Sequence, residues 1–362
     1  MRRAGNDQRA LVASARGRPW PELVRICLSR LDGLAGHANA GIVFMADPAG
    51  EMADDLLHYL KAETGICAWF GAAGEGVIAG GTEISGESGL ALMLLDWPQA
   101  HVRLIHDSSD FASIDGGLAL LNLAGDAPFD ARALGPAVRT LGGRSSSAYD
   151  GCEIAGVTSA GGCSGLWLGA EIPVALDILH GLRDPGPWRR ITSAVGRTVL
   201  ELDGRAATDA IAEDAGELLV RAPDRLVRCL MVETRADEDP FIAPGQVAMI
   251  ECFDRQRRTL RISNDRPGGW LRVTYRNASA ALAEIDRLTS GLRRDFPTEC
   301  WPRAAILYSS VDRGHALFGP AESEAARFQA ALGPIPLIGM RSREELFDGA
   351  LTCGAAVLAL LG

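Results

Sequence analysis

The sequence predicts an α/β protein with an α+β tendency, made of two pseudo-repeated halves with mixed β-sheets flanked by helices. Three observations carry this. Near residue 40, an apolar run, a helical segment bounded by proline and glycine, and a second apolar run follow one another. The same strand–helix–strand order returns near residue 304. Short strand-like runs at hairpin spacing, separated by glycine turns, fill the interval and point to mixed rather than all-parallel sheets.

Taken in order, "AGIVFMAD" (40–47) reads as a buried strand ending at Asp-Pro. "PAGEMADDLLHYLKAETG" opens with proline and acids and closes at Gly65, as a helix does. "ICAWF" is the next strand and runs into the glycine-rich "GAAGEGVIAGG". "SGLALMLLDW" (88–97) and "HVRLIHD" (101–107) are two more. Residues 152–179 alternate strand with a glycine turn, and 198–219 read as strand, Asp-Gly turn and helix. "RLVRCLMVE" (225–233) and "GQVAMIECF" (245–253) are strands, and 279–293 is an amphipathic helix. The C-terminal repeat is strand 304–310, helix 321–333, strand 334–340 and strand 354–360. Gly65 and Gly333 close the two helices, and Gly71 and Gly339 follow the next strands at the same spacing, as a duplicated unit would place them.

A net charge of -10 argues against nucleic acid, whose phosphates call for a basic surface. No apolar run reaches the length of about eighteen residues that a membrane span requires. Residues 1–20 carry arginines but no apolar signal core, so a mobile basic tail ordering near Trp20 is expected. The eight cysteines (27, 67, 152, 163, 229, 252, 300 and 353) have no close pairing and read as reduced thiols in a cytoplasmic protein. Lys61 is the only lysine, on a helix and outside any phosphate-loop context, which disfavours Walker and Schiff-base chemistry.

In order and spacing, the chain resembles the FIST proteins, whose paired N- and C-terminal FIST domains occur in bacterial signalling proteins. The resemblance covers roughly residues 22–362 and rests on "WFGAAGEGVIAGG" followed by "ESGLALMLLDWP", on "ITSAVGRTVLELDGRAATDAI", on "APGQVAMIECFDR" and on "LYSSVDRGHALFG" with "IPLIGMRSREELFDG". It implies a tail over 1–20, a FIST N-terminal domain over 21–190 and a FIST C-terminal domain over 191–362. It also implies a cytoplasmic sensor of a small ligand in signal transduction, an amino acid being the usual suggestion. The chain departs from the pattern at Ser310, where many relatives have cysteine, and at Glu344, which replaces a glycine before Glu345.

Each candidate site has a bland reading beside the functional one. In the glycine stretch, tight turns between layers compete with a pocket wall in which Gly74 amides and Glu75 face a ligand. No helix follows to receive a nucleotide phosphate there. Glu75 and Glu345 are either matching acids of the repeats, able to hold an amine, or surface glutamates. Ser145, Ser146 and Ser147 are either carboxylate donors or a solvated loop. In "SSVDRGHALFG", Arg313 can fork a carboxylate and His315 can donate or accept, with Ser309 and Ser310 beside them. The alternative there is an internal Asp312–Arg313 network. Cys163 in "GGCSG" matches a nucleophile turn, but the sequence after it reads as strand rather than helix. His101 and His106 stand five apart in a strand and so point to opposite faces, and His37, His58, His180 and His315 have no ligand-spaced partners, so no metal is expected. The reading is a non-catalytic sensor with no cofactor, a small amino acid or carboxylate ligand and a signalling protein partner, without nucleic acid or membrane. A thiol- or serine-based hydrolase and a protein-interaction scaffold are the competing readings.

Overall fold

The computed structural model describes residues 10–34, 36–149, 152–159, 162–183, 185–216, 221–222, 226–227, 229–236, 246–263, 267–319 and 323–362. They pack as two units. One runs to Leu179 and resumes over Ile285–Leu351 and Ala355–Gly362; the other is His180–Glu284 with Thr352–Gly354. Packing thus sets the middle of the chain apart, rather than dividing it near residue 190, because strands from both ends of the first unit share one sheet.

The first unit begins with β1 (Ala10–Arg16) and α1 (Trp20–Arg30). A strand over Ala10–Arg16 therefore replaces part of the expected tail; residues 1–9 lie outside the described residues. Small side chains let Ala10, Ala13 and Ala15 bury as β1 pairs antiparallel along the strand "GLALMLL". Next come β2 (Ala40–Ala46) and α2 (Ala53–Thr64), which starts with Asp54 and Asp55 and ends at Gly65 in the left-handed conformation. Then follow β3 (Ala68–Gly74), β4 (Gly76–Ala79), β5 (Thr82–Ser85) and β6 (Gly89–Leu95). The first sheet is β1-β6-β2-β3, extended by β10 (Glu153–Ala155) and β11 (Thr158–Ser159), with β2 and β3 parallel and the other pairs antiparallel.

Alternation explains why β2 reads as uninterrupted apolar sequence: Ile42 and Phe44 face one core, and Val43 and Met45 face another shared with α1 and α2. The glycine stretch is mostly strand, with a turn only at Gly80 and Gly81, and at Glu75 the chain leaves the first sheet, so that β4 joins the second. Gly71 is obligatory, because a Cβ there would stand 1.7 Å from the Val43 carbonyl oxygen.

After β7 (Val102–Ile105), which His101 and His106 flank rather than occupy, come β8 (Leu118–Leu123), β9 (Arg139–Ser145), β12 (Cys163–Leu168) and β13 (Val174–Leu179).

The second unit contains β14 (Leu182–Arg183), β15 (Arg189–Val195), β16 (Thr198–Leu202), β17 (Arg205–Ala206), α3 (Ala207–Ala215), β18 (Leu230–Arg235), β19 (Gln246–Asp254), β20 (Thr259–Ile262) and β21 (Trp270–Arg276). The strand expected at 225–233 begins only at Leu230, since residues 226, 227 and 229 are helical. Pairing in the order β21-β15-β16-β20-β19-β18 returns to β21, so these strands close an antiparallel barrel without free edges. Its core holds Val199, Leu202, Val232, Ile250, Leu260 and Val273, with Ile211 of α3.

The chain re-enters the first unit within α4 (Ala278–Asp295) and continues through β22 (Ala304–Ser310), α5 (Gly314–Phe318), α6 (Glu324–Leu332), β23 (Leu337–Phe347), β24 (Ala350–Thr352) and β25 (Ala356–Leu361). The second sheet runs β13-β25-β22-β23-β9-β8-β12-β7. Its segment β13-β25-β22-β23-β9 repeats the first sheet's β1-β6-β2-β3-β10, including the one parallel pair in the middle and a crossover helix, α6 matching α2. The predicted repeat is therefore a repeat of topology. The sheets share one apolar core, in which Phe44 and Tyr308 meet edge to face with ring centres 5.7 Å apart.

Candidate functional site

Parallel strands bring their carboxyl ends to one side of a sheet, where the following loops open a crevice. The two repeat-related parallel pairs, β2–β3 and β22–β23, contribute to one cleft of about 320 Å³. From the first repeat come Asp47 after β2, Glu75 after β3, and Glu83, Ser85 and Gly86 on and beyond β5. From the second come Val311, Arg313, Gly314 and His315 after β22, and Arg341 within β23.

A buried ion network closes the floor. Arg313 Nε donates to Glu324 Oε1 at 2.7 Å, and Arg341 Nη1 donates to Glu324 Oε2 at 2.8 Å. On its other edge Arg341 donates twice to Glu83, from Nε at 3.0 Å and Nη2 at 2.6 Å. Ser309 Oγ accepts from Arg341 Nη1 and donates to Glu324 Oε2. Ser323 caps α6, so Glu324 stands in the first helical turn, where the helix dipole favours an anion. Burial opposes charge on Glu324, but the guanidiniums of Arg313 and Arg341 outweigh it and hold the carboxyl at about 2.

The residues expected from sequence fall into three groups. Arg313, His315 and Glu75 line the cleft, with Arg313 fully buried and the other two exposed. Ser309, Ser310, Gly74, Ser145 and Ser146 lie behind the lining. Ser310 Oγ accepts from the Asp312 amide. Ser145 Oγ donates to the Ala73 carbonyl, and Ser146 Oγ donates to the Arg341 carbonyl while accepting from the Glu75 amide. A Cβ on Gly74 would come within 2.8 Å of both Ser146 Oγ and the Arg341 carbonyl oxygen. Glu345 forms the third group. It is fully buried and outside the lining, its oxygens accepting from Ser342 Oγ and the Ala355 amide. A register shift between Ser342 and Glu345 against β9 breaks the alternation that would have aimed Glu345 as Arg341 is aimed, so Glu75 and Glu345 do not form a pair of acids across the cleft.

Arg313 does enter an internal network, with Glu324 as its acid partner on the next long helix. Sequence reasoning missed Arg341, Glu83, Glu324 and Asp47. Arg341 left a signal, a lone charge continuing the apolar strand "LIGM". Glu324 looks like any acid in a helix's first turn.

Cys163 opens a strand, and burial, with the Asp107 charge adding to it, pushes its thiol up to about 12, far from a reactive thiolate. Gly161 of that motif lies outside the described residues.

Burial moves Glu345 the opposite way from Glu324, from the ordinary 4.5 to about 8. A raised carboxyl binds its proton more tightly in the folded state, so its contribution is complete below pH 4.5 and is lost as pH rises toward 8. Glu345→Gln keeps an acceptor for the Ala355 amide and turns an NH2 donor toward Ser342 Oγ, which can accept in place of donating. Urea unfolding from pH 5 to 8 should show the native chain losing stability relative to this variant; parallel curves would refute the assignment.

Residues 39–205 match the family model described as the FIST N domain. The chain carries a FIST N domain. Every first-repeat residue of the cleft lies within the FIST N segment, as do Ser145 and Ser146. Two curated proteins of Mycobacterium tuberculosis, from strains CDC 1551 and H37Rv, are each 24% identical to this chain over 346 residues. The alignment covers 86% of this chain and 88% of each relative, so the similarity extends well past the FIST N domain. Both are described as uncharacterised proteins. Among the described residues no helix is long and apolar enough to cross a membrane.

Proposed function

We propose that the protein is a cytoplasmic sensor that binds an amino acid or a similar small carboxylate in the cleft, within intracellular signal transduction. One observation carries the reading: the carboxyl ends of the parallel pairs β2–β3 and β22–β23 converge on a single cleft, with acids supplied by the first repeat and guanidiniums by the second. A volume of about 320 Å³ suits a metabolite rather than a macromolecule. The FIST N domain supports a sensor role; a FIST N-terminal domain over 21–190 would supply the first repeat with β9 and β13, and a FIST C-terminal domain over 191–362 would supply β22, β23 and β25 of the second. A signalling protein partner would receive the output.

Isothermal titration with a panel of amino acids and carboxylates at millimolar concentration tests this. Heat is expected from at least one compound, and Ser85→Trp, which fills the mouth from an exposed position, should abolish it. No heat from any compound would sink the reading.

A further inference from the structure

We infer that the cleft selects its ligand through an organic cation, so that a primary amine is the element it requires and a carboxylate is dispensable. This rests on the sensor reading of the same cleft and names its ligand class. What carries it is the prior engagement of the arginines. The Nε and Nη2 edge of Arg341 is the one that would fork a carboxylate, and Glu83 already occupies it at 3.0 and 2.6 Å. Its Nη1 donates to Ser309 and Glu324, and Arg313 Nε donates to the other oxygen of Glu324. The Arg313 guanidinium also lies 5.7 Å from the centre of the Phe318 ring.

Two guanidiniums and two carboxylates thus make an electrically neutral floor, with side-chain exposure of 4% for Arg341 and 0% for Arg313 and Glu324. A ligand carboxylate forked on the Nε and Nη2 edge of Arg341 would have to displace Glu83, and one at Arg313 Nε would have to displace Glu324, leaving that acid uncompensated in a largely dry environment. The walls set the remaining field. Asp47 and Glu75 line them, and His315 is the other ionisable lining residue. Asp47 accepts from Ser147 Oγ and the Ala148 amide, which hold its carboxylate in place at the wall. Glu75 is exposed, and its backbone is pinned by Ser146. A small molecule above the neutral floor therefore meets net negative charge, which an ammonium with three donors complements.

The test is titration of the full chain with putrescine, lysine and glutarate, repeated on Glu75→Gln and Ser85→Trp. Putrescine and lysine are expected to bind and glutarate is not. Glu75→Gln should weaken putrescine by about tenfold to a hundredfold, the usual loss for a hydrogen bond to a charged group. Glutarate binding as tightly as putrescine, or putrescine affinity unchanged in Glu75→Gln, overturns the inference and leaves the sensor reading standing. Absence of binding by all three compounds, or heats that survive Ser85→Trp, overturns both.

Discussion

Glu324→Gln is expected to lower stability by about 3–5 kcal/mol, the range for removing one partner of a buried ion pair. Two buried guanidiniums, Arg313 and Arg341, would then share Glu83 as the carboxylate of their network. In a chain of 362 residues this corresponds to a fall in Tm on the order of 5–10 °C. The effect has a pH signature. Because the Glu324 carboxyl is held down to about 2, its contribution is complete above the ordinary 4.5 and is lost as pH falls toward 2. The gap between native chain and variant should therefore narrow from pH 5 downward. Glu344→Gln is the control. Glu344 also pairs with an arginine, Arg144 at 2.6 Å, but is partly exposed, so a loss of at most about 1 kcal/mol is expected. Thermal melts of both variants across pH check the claim, and equal losses would remove the special standing of the buried network.

Gly71→Ala should be at least as damaging, for a different reason. The new methyl would stand 1.7 Å from the Val43 carbonyl oxygen and 2.8 Å from its carbon, and both are backbone atoms. No rotamer change relieves that contact; β3 must move away from β2 and break the parallel pair. Overpacking of side chains typically costs about 1–3 kcal/mol, and a backbone clash belongs above that range. Little folded protein is expected on expression. Gly81→Ala, whose nearest new contact is 3.4 Å away on α6, should express and melt like the native chain. A Gly71→Ala protein of native stability would show that the glycine stretch tolerates ordinary strand residues.

Both predictions fall where sequence reading is weakest, and the reasons are physical. The pairs β2–β3 and β22–β23 were legible because parallel strands buried on both faces appear as unbroken apolar runs around a capped helix. β1 was not, because its alanines and serine carry little apolar signal and arginines surround it. Closure of the barrel through β18–β21 and β15–β21 is a long-range event with no local trace. At the cleft, Arg313, His315 and Glu75 could be read because they follow strands directly. Glu324 could not, since its meaning comes from Arg341, 17 residues away on another element. Glu345 was misplaced because a bulge in strand pairing leaves no mark on residue alternation.

The order of the second sheet governs how the molecule can be made. β7, β8, β9, β12 and β13 are synthesised early, yet β9 needs β23 and β13 needs β25, the last strand of the chain. β4 likewise waits for β23. While the ribosome is still translating the barrel, these early strands have open hydrogen-bonding edges, the kind that invite pairing with a neighbouring chain. Their lasting partners, β23 and β25, follow only after the barrel, so contacts of such long sequence separation make completion of the second sheet the slow step. Duplication of the strand–helix–strand unit therefore did not yield two beads on a string. It yielded an interlocked pair in which the first sheet can form from early strands alone, while the second stays incomplete until β22, β23 and β25 are made.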